Sequence, residues 1–377
     1  MKARDIQFTA RTPTNLVFLL DVSGSMRPAD RLPLVLQCMK LLVDQLDEGD
    51  RVSIVVYAGA AGVVLPPTQG DEKERIVEAL SRLQAGGSTN GGQGIRLAYK
   101  TARESFIEGG TNRVILCTDG DFNVGVSSRS ELVDMVAEEA KAGVWLSVFG
   151  VGRGNLKDDT MEQLADRGNG NYAYLDSVAE GRKALVEQAG GTLVTVAKDV
   201  KFQVEFNPSQ VAAYRLIGYE NRVMAAQDFN DDKKDAGDVG AGHTVTALYE
   251  LVPAGASADV PPVDPLKYQA PKDVTPAAAS GEMCTVKVRW KEPESARSRL
   301  AEVAVTDARA SYSQASPDFK FAAAVASFGM ILRGSKHAGT ASLDAVTELA
   351  EEGIGADRGG YRREFVALVR RSKELPK

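Results

Sequence analysis

Thiol and imidazole side chains are almost missing from this sequence. Its 377 residues include three cysteines and two histidines, and Cys38, Cys117 and Cys284 stand far apart with no short ligand spacing. A zinc cluster or a dense disulfide framework is thereby excluded as the organising device. Cys117 lies in an apolar strand pattern and reads as a buried free thiol, the alternative for the other two being a Cys38 to Cys284 disulfide. His243 and His337 read as packing, capping or surface residues. Strong charge of one sign is also lacking. A formal net charge of -6 gives no global attraction to nucleic acid or to an anionic membrane. No apolar stretch is long enough to span a bilayer, and the first residues, from Met1 to Asp5, lack the apolar core of a secretory leader. The chain as written is expected to be soluble. Paired His and carboxylate residues, or a Ser/His/Asp set, are not recognisable either, so no enzyme is expected; metal-dependent hydrolysis with Asp121 as base is the catalytic alternative.

What is present is oxygen at the ends of apolar strands. The run Leu16 to Leu20 stops at Asp21, with Ser23 and Ser25 following at alternate positions around Gly24. Those three side chains can converge on one hard cation if the backbone curls at the glycine, because oxygen-rich sites without thiolates suit Mg²⁺, Mn²⁺ or Ca²⁺. An ordinary strand ending in a polar turn has the same pattern. Two further stretches point the same way. The glycine-rich loop 86–92 carries Thr89 into a helical pattern, and the run Val114 to Thr118 ends at Asp119. Oxygens from three loops would then gather at one end of a parallel sheet, where open α/β sheets collect ligands.

Together Asp21, Ser23, Ser25, Thr89 and Asp119 resemble the metal-ion-dependent adhesion site of von Willebrand factor type A domains. The resemblance implies that Ser23, Ser25 and Thr89 ligate Mg²⁺ directly, with Mn²⁺ or Ca²⁺ as alternatives, while Asp21 and Asp119 act more often through water. It also implies an open coordination position for the Asp or Glu carboxylate of a partner protein. Stretches 118–125, 214–222 and 228–235 resemble a bacterial group of such proteins with a characteristic C-terminal region, commonly envelope proteins or lipoproteins. The group usually carries residues ahead of this domain, including an export signal, so a cell-envelope or extracytoplasmic location is an expectation for the full-length protein.

The fold expected is α/β: a doubly wound, mostly parallel von Willebrand A-type sheet, an additional β-sandwich and C-terminal helices. Residues 1–11 are expected to be an N-terminal edge strand, with membership of the sandwich as one assignment, 12–190 the metal domain, 191–292 the β-rich sandwich and 293–377 a helical region. Short apolar strands return regularly between helical patterns up to residue 190, with Pro66 and Pro67 expected to end the strand that starts near Gly62. Beyond Thr192, four extended segments follow. The acidic loop 228–238 reads as a solvated turn, with Ca²⁺ binding as the alternative, and the basic residues Lys320, Arg333, Arg362, Arg363, Arg370 and Arg371 read as scattered surface charges rather than a nucleic-acid face. Gly150 to Gly154 departs from the glycine spacing and strand-to-helix setting of a dinucleotide loop, and Gly86 to Gly94 lacks the lysine and following hydroxyl of a phosphate loop, so these glycines read as turn formers with a nucleotide site as the weaker alternative. The functional expectation is divalent-cation-dependent protein recognition, with Arg27, Phe122 and Asn123 on the rim; the alternative is an envelope-assembly module whose ion only orders loops.

Overall fold

The first strand, β1 (Thr14–Asp21), has every residue buried, as expected of a strand covered on both faces. The computed structural model describes residues 1–3, 12–88, 91–120, 129–154, 157–188, 195–219, 223–234, 236–256, 274–293 and 295–375. After β1 come α1 (Leu32–Val43), β2 (Arg51–Tyr57), β3 (Ala61–Gln69), α2 (Lys73–Ser81), α3 (Gly91–Glu104) and β4 (Thr111–Thr118). Then follow α4 (Arg129–Lys141), β5 (Val144–Val151), α5 (Asp158–Arg167), β6 (Tyr172–Leu175) and α6 (Val178–Arg182), continued by a π-helical turn over Lys183–Glu187. Side chains of β1 alternate between two cores. Leu16, Phe18 and Leu20 pack with apolar residues of α1, α2 and the π-helical turn, whereas Val17 and Leu19 pack with those of α3, α4 and α5.

The six strands run in the order β3-β2-β1-β4-β5-β6. Every neighbouring pair is parallel except β2 with β3. Strand order reverses between β1 and β4, so the chain leaves these two adjacent strands in opposite directions and opens a crevice beyond their carboxyl ends. Leu20 pairs with Cys117 in the register. Asp21 and Asp119 therefore emerge side by side.

One expectation about the sheet edge is corrected. β3 passes through Pro66 and Pro67 to Gln69, and its pairing with β2 shifts register between Val52 and Ile54. An edge strand tolerates proline because its outward N–H groups have no ladder to join.

The chain divides into two compact units: Met1–Lys201 with Asp232–Val245 and Arg289–Arg299, and Phe202–Asp231 with Thr246–Val288 and Leu300–Lys377. The β-rich part contains β7 (Thr195–Phe206), β8 (Val211–Ile217), β9 (Val239–Gly240), β10 (Leu248–Pro253), β11 (Glu282–Lys291) and β12 (Ser298–Thr306). They form a four-stranded sheet in the order β12-β11-β7-β9 and an antiparallel pair, β10 with β8. In the second unit the Phe206 ring lies 4.4 Å from that of Tyr214 and 5.3 Å from that of Tyr249. A separate core there joins α7 (Pro317–Leu332), α8 (Leu343–Glu352) and α9 (Tyr361–Ser372) through Ala324, Phe328, Val346, Ala350, Val366 and Val369. β12 falls within the stretch read from sequence as helical. Its Leu300 and Val303 are 53% and 61% exposed, so no alternation of buried apolar residues announces the strand. The expected edge strand over 3–10 lies outside the described residues beyond Ala3, whose N–H donates to the His243 carbonyl at 2.8 Å.

Candidate metal-binding site

Asp21 ends β1 fully buried, and the chain turns sharply there. Its Oδ1 accepts the Ser23 N–H at 2.9 Å, while Oδ2 accepts the Thr118 hydroxyl at 3.0 Å and the Tyr57 hydroxyl at 3.2 Å. The carboxylate is thus fixed by three neutral donors, one each from its own loop, β4 and β2. A short 3₁₀ turn over Gly24–Met26 then brings the Ser23 and Ser25 hydroxyl oxygens within 3.1 Å of each other. Direct backbone bonds attach the glycine-rich loop: Gly24 N–H donates to the Gly87 carbonyl at 3.0 Å, and Gly86 N–H to the Val22 carbonyl at 2.7 Å. A Cβ at Gly24 would stand 3.3 Å from that Gly87 oxygen, a tight contact with backbone. Thr89, two residues beyond Gly87, lies outside the described residues, as do Asp121, Phe122 and Asn123.

Asp119 follows β4, also buried, and pairs with the Arg31 guanidinium. Arg31 Nη1 additionally donates to the Ser25 carbonyl at 2.9 Å. Four of the five residues singled out, Asp21, Ser23, Ser25 and Asp119, are therefore grouped at the β1/β4 crevice. Arg27 sits outside this cluster, exposed, its Nε donating to the Ala85 carbonyl at 3.3 Å.

Two features suit a hard cation. The Ser23 and Ser25 hydroxyls share a hydrogen bond of 3.1 Å, a separation that adjacent oxygens around Mg²⁺ would also have, at about 3 Å for metal–oxygen distances of about 2.1 Å in octahedral geometry. Asp21 in addition has no cationic side chain paired with it among the described residues, although it is buried. Burial raises its pKa above the ordinary carboxylate value, the charge of Asp119 adds to the rise, and the hydrogen bonds from Ser23 and Thr118 oppose it. Burial likewise pushes the Tyr57 hydroxyl well above its ordinary value, with the Asp21 charge contributing. A buried carboxylate of this kind is stabilised by a nearby cation. No group of three or more His, Cys, Asp or Glu side chains suited to a metal occurs among the described residues; the donors here are mainly hydroxyls.

Sequence reasoning missed Arg31, Tyr57 and Thr118. The available signal was electrostatic, because two buried carboxylates demand donors and positive charge, but it did not say which arginine or hydroxyl would arrive. The rival motifs also have structural outcomes. Asp232 in the acidic loop is not simply solvated: its Oδ1 accepts Arg289 Nη2 at 2.8 Å and the Ser298 hydroxyl. In the basic tail, Lys320 pairs with Glu352, Arg362 with Asp318, Arg363 with Asp357 and Arg370 with Glu351. The three cysteines are buried and free.

Comparison with known proteins follows the same division. Residues 15–188 match the von Willebrand factor type A domain, and residues 191–375 match the C-terminal region of the uncharacterized protein YfbK. The chain is a von Willebrand factor type A domain protein. This von Willebrand A protein is 43% identical over 367 residues to the uncharacterized protein YfbK of Escherichia coli (strain K12), covering 97% of this chain and 63% of that one. It is 30% identical over 170 residues to the uncharacterized protein sll0103 of Synechocystis, covering 45% and 39% respectively. It thus spans less than two thirds of the length of these curated relatives. A solved von Willebrand factor type A structure from Catenulispora acidiphila aligns with a TM-score of 0.48 at 16% identity, over 93% of this chain and 82% of that chain. No helix among the described residues is long and apolar enough to cross a membrane.

Proposed function

We propose that this von Willebrand A protein recognises a partner protein through a divalent cation, Mg²⁺ with Mn²⁺ or Ca²⁺ as alternatives, held at the β1/β4 crevice. The grouping of the Ser23 and Ser25 hydroxyls with the buried carboxylates of Asp21 and Asp119 carries the proposal. Ser23, Ser25 and Thr89 would hold the ion. Asp21, fixed by Ser23, Tyr57 and Thr118, would orient its waters, as would Asp119. When bound, the ion supplies a positive centre able to accept the Asp or Glu carboxylate of a partner, which an acidic surface would otherwise repel. Loop residues around the crevice supply shape.

An ion that merely orders loops is the second reading. The bonds from Gly24 to Gly87 and from Gly86 to Val22 already tie two of these loops through protein atoms alone, which favours recognition over ordering. A catalytic role has no comparable support. Residence in the cell envelope is part of the proposal, as the location of the partner.

The test has two arms. Calorimetric titration with Mg²⁺ is expected to give binding to the unmodified chain and at least a tenfold weaker interaction for the folded Ser23→Ala, Ser25→Ala double variant, roughly the 1.4 kcal/mol per decade of any equilibrium. Equal affinities would reject these ligands. Capture from envelope extract is then compared with Mg²⁺ and with chelator; a partner retained equally in both rejects the bridge and moves recognition elsewhere on the chain.

A further inference from the structure

Arg31 is placed where a cation site ordinarily has no protein cation. Its guanidinium pairs with Asp119, its Nη1 also holds the Ser25 carbonyl at 2.9 Å, and its Nη2 reaches the Arg153 carbonyl at 3.4 Å. The side chain is 13% exposed, and Nε is buried with no hydrogen-bond partner among the described residues. Gly152 has a φ of +77°, and a Cβ there would run into the Arg31 side chain. The backbone after β5 is thus shaped around this one arginine, which is fixed beside the proposed ligands rather than loosely solvated.

The formal charges then have a consequence. Among the described residues that this cluster joins, Asp21 and Asp119 contribute two negative charges and Arg31 one positive charge. A divalent ion added to that set leaves one positive charge in excess, and a single partner carboxylate returns the site to neutrality. Without Arg31, the ion alone would neutralise the two aspartates, and an incoming carboxylate would leave an unbalanced negative charge. In a largely buried setting such differences are screened far less than at a surface.

We infer that Arg31 is a built-in counter-ion that weakens cation binding to the site alone and strengthens it when a carboxylate is present, so that ion and partner bind as a pair. This rests on the cation-site reading above. Arg31 acts here as a positioning and coupling residue. Because coupling between two ligands is reciprocal, the carboxylate should tighten the ion to the same degree that the ion tightens the carboxylate.

Mn²⁺ is the probe, followed on the full chain by loss of the free-ion paramagnetic signal. Acetate, a minimal carboxylate, replaces chloride at constant ionic strength. In chloride, Arg31→Gln and the better-packing Arg31→Met are expected to bind Mn²⁺ at least about threefold more tightly than the unmodified chain, a cautious figure for removing a fixed charge at short range. Acetate should tighten Mn²⁺ on the unmodified chain and lose most of that effect in both variants. Arg31→Lys, which keeps the charge, should retain it. Unchanged or weaker Mn²⁺ binding by the Gln and Met variants, or a Lys variant behaving like them, overturns the inference. The Ser23→Ala, Ser25→Ala protein separates the two levels: undiminished Mn²⁺ binding there rejects the site itself, whereas its loss with no change at Arg31 rejects only the coupling.

Discussion

At Asp21 the needs of folding and of binding oppose each other. The carboxylate is buried, held by three neutral donors and raised in pKa by its surroundings. Asp21→Asn is therefore expected to raise the thermal midpoint by a few degrees in chelator while losing the stabilisation that Mg²⁺ gives the unmodified chain, a trade common where a site is kept at the expense of stability. A scan with and without Mg²⁺ checks both parts, and an Asn variant less stable in chelator would contradict the account. Tyr57 is similarly constrained, since a Cβ at Gly94 would stand 2.8 Å from atoms of its side chain. Gly94→Ala gains helix propensity of about 1 kcal/mol. Overpacking costs about 1–3 kcal/mol, so a net loss is expected in urea unfolding. That Asp21 and Asp119 would emerge together at one end of the sheet, with Ser23 and Ser25 in the loop after Asp21, was legible because two long apolar runs stop at those carboxylates. Arg31 was not, because its partner lies 88 positions away and only the folded register brings them together.

Among the elements, the loop leading into β9 shows how a sequence can state composition and hide role. Asp232 is held by Arg289 near the end of β11 and Ser298 at the start of β12, while Lys291 bonds both the Asp232 carbonyl, at 2.8 Å, and Asp199. The Ser298 and Arg289 hydrogen bonds lower the Asp232 pKa to about 2. A carboxyl lowered on folding contributes stability that is present above its ordinary value and lost as pH falls toward the folded one. The stability difference between the unmodified chain and Asp232→Asn is expected to be full at pH 5 and to shrink between about pH 4 and pH 2. Denaturant midpoints measured across that range decide it, a constant difference counting against the latch. Helices such as α3 and α8 were readable from their spacing of apolar residues and strands such as β4 from continuous burial. β12 offered neither signal, because its apolar side chains face outward.

For the molecule as a whole, each unit has a core of its own. Phe328 packs among α7, α8 and α9, and its ring stands edge-on to that of Phe365 at 5.5 Å. Phe328→Ala is expected to cost about 3–5 kcal/mol without altering Mg²⁺ affinity; parallel calorimetric scans and titrations check this, and a weakened Mg²⁺ titration would mean the units are not energetically separate. The change from alternating helix and strand to consecutive strands was legible, but the two units were not, since the first also takes in Asp232–Val245 and Arg289–Arg299; nor was the pairing of the strands, because long-range register is a property of the folded chain. The main sheet has one further consequence. One border, β3, contains Pro66 and Pro67 and a register shift, and the other, β6, is four residues long. Neither offers a run of backbone on which a neighbouring chain could zip. That protection belongs to this sheet alone, because β12, nine residues long with Leu300 and Val303 exposed, is itself a border of the four-stranded sheet.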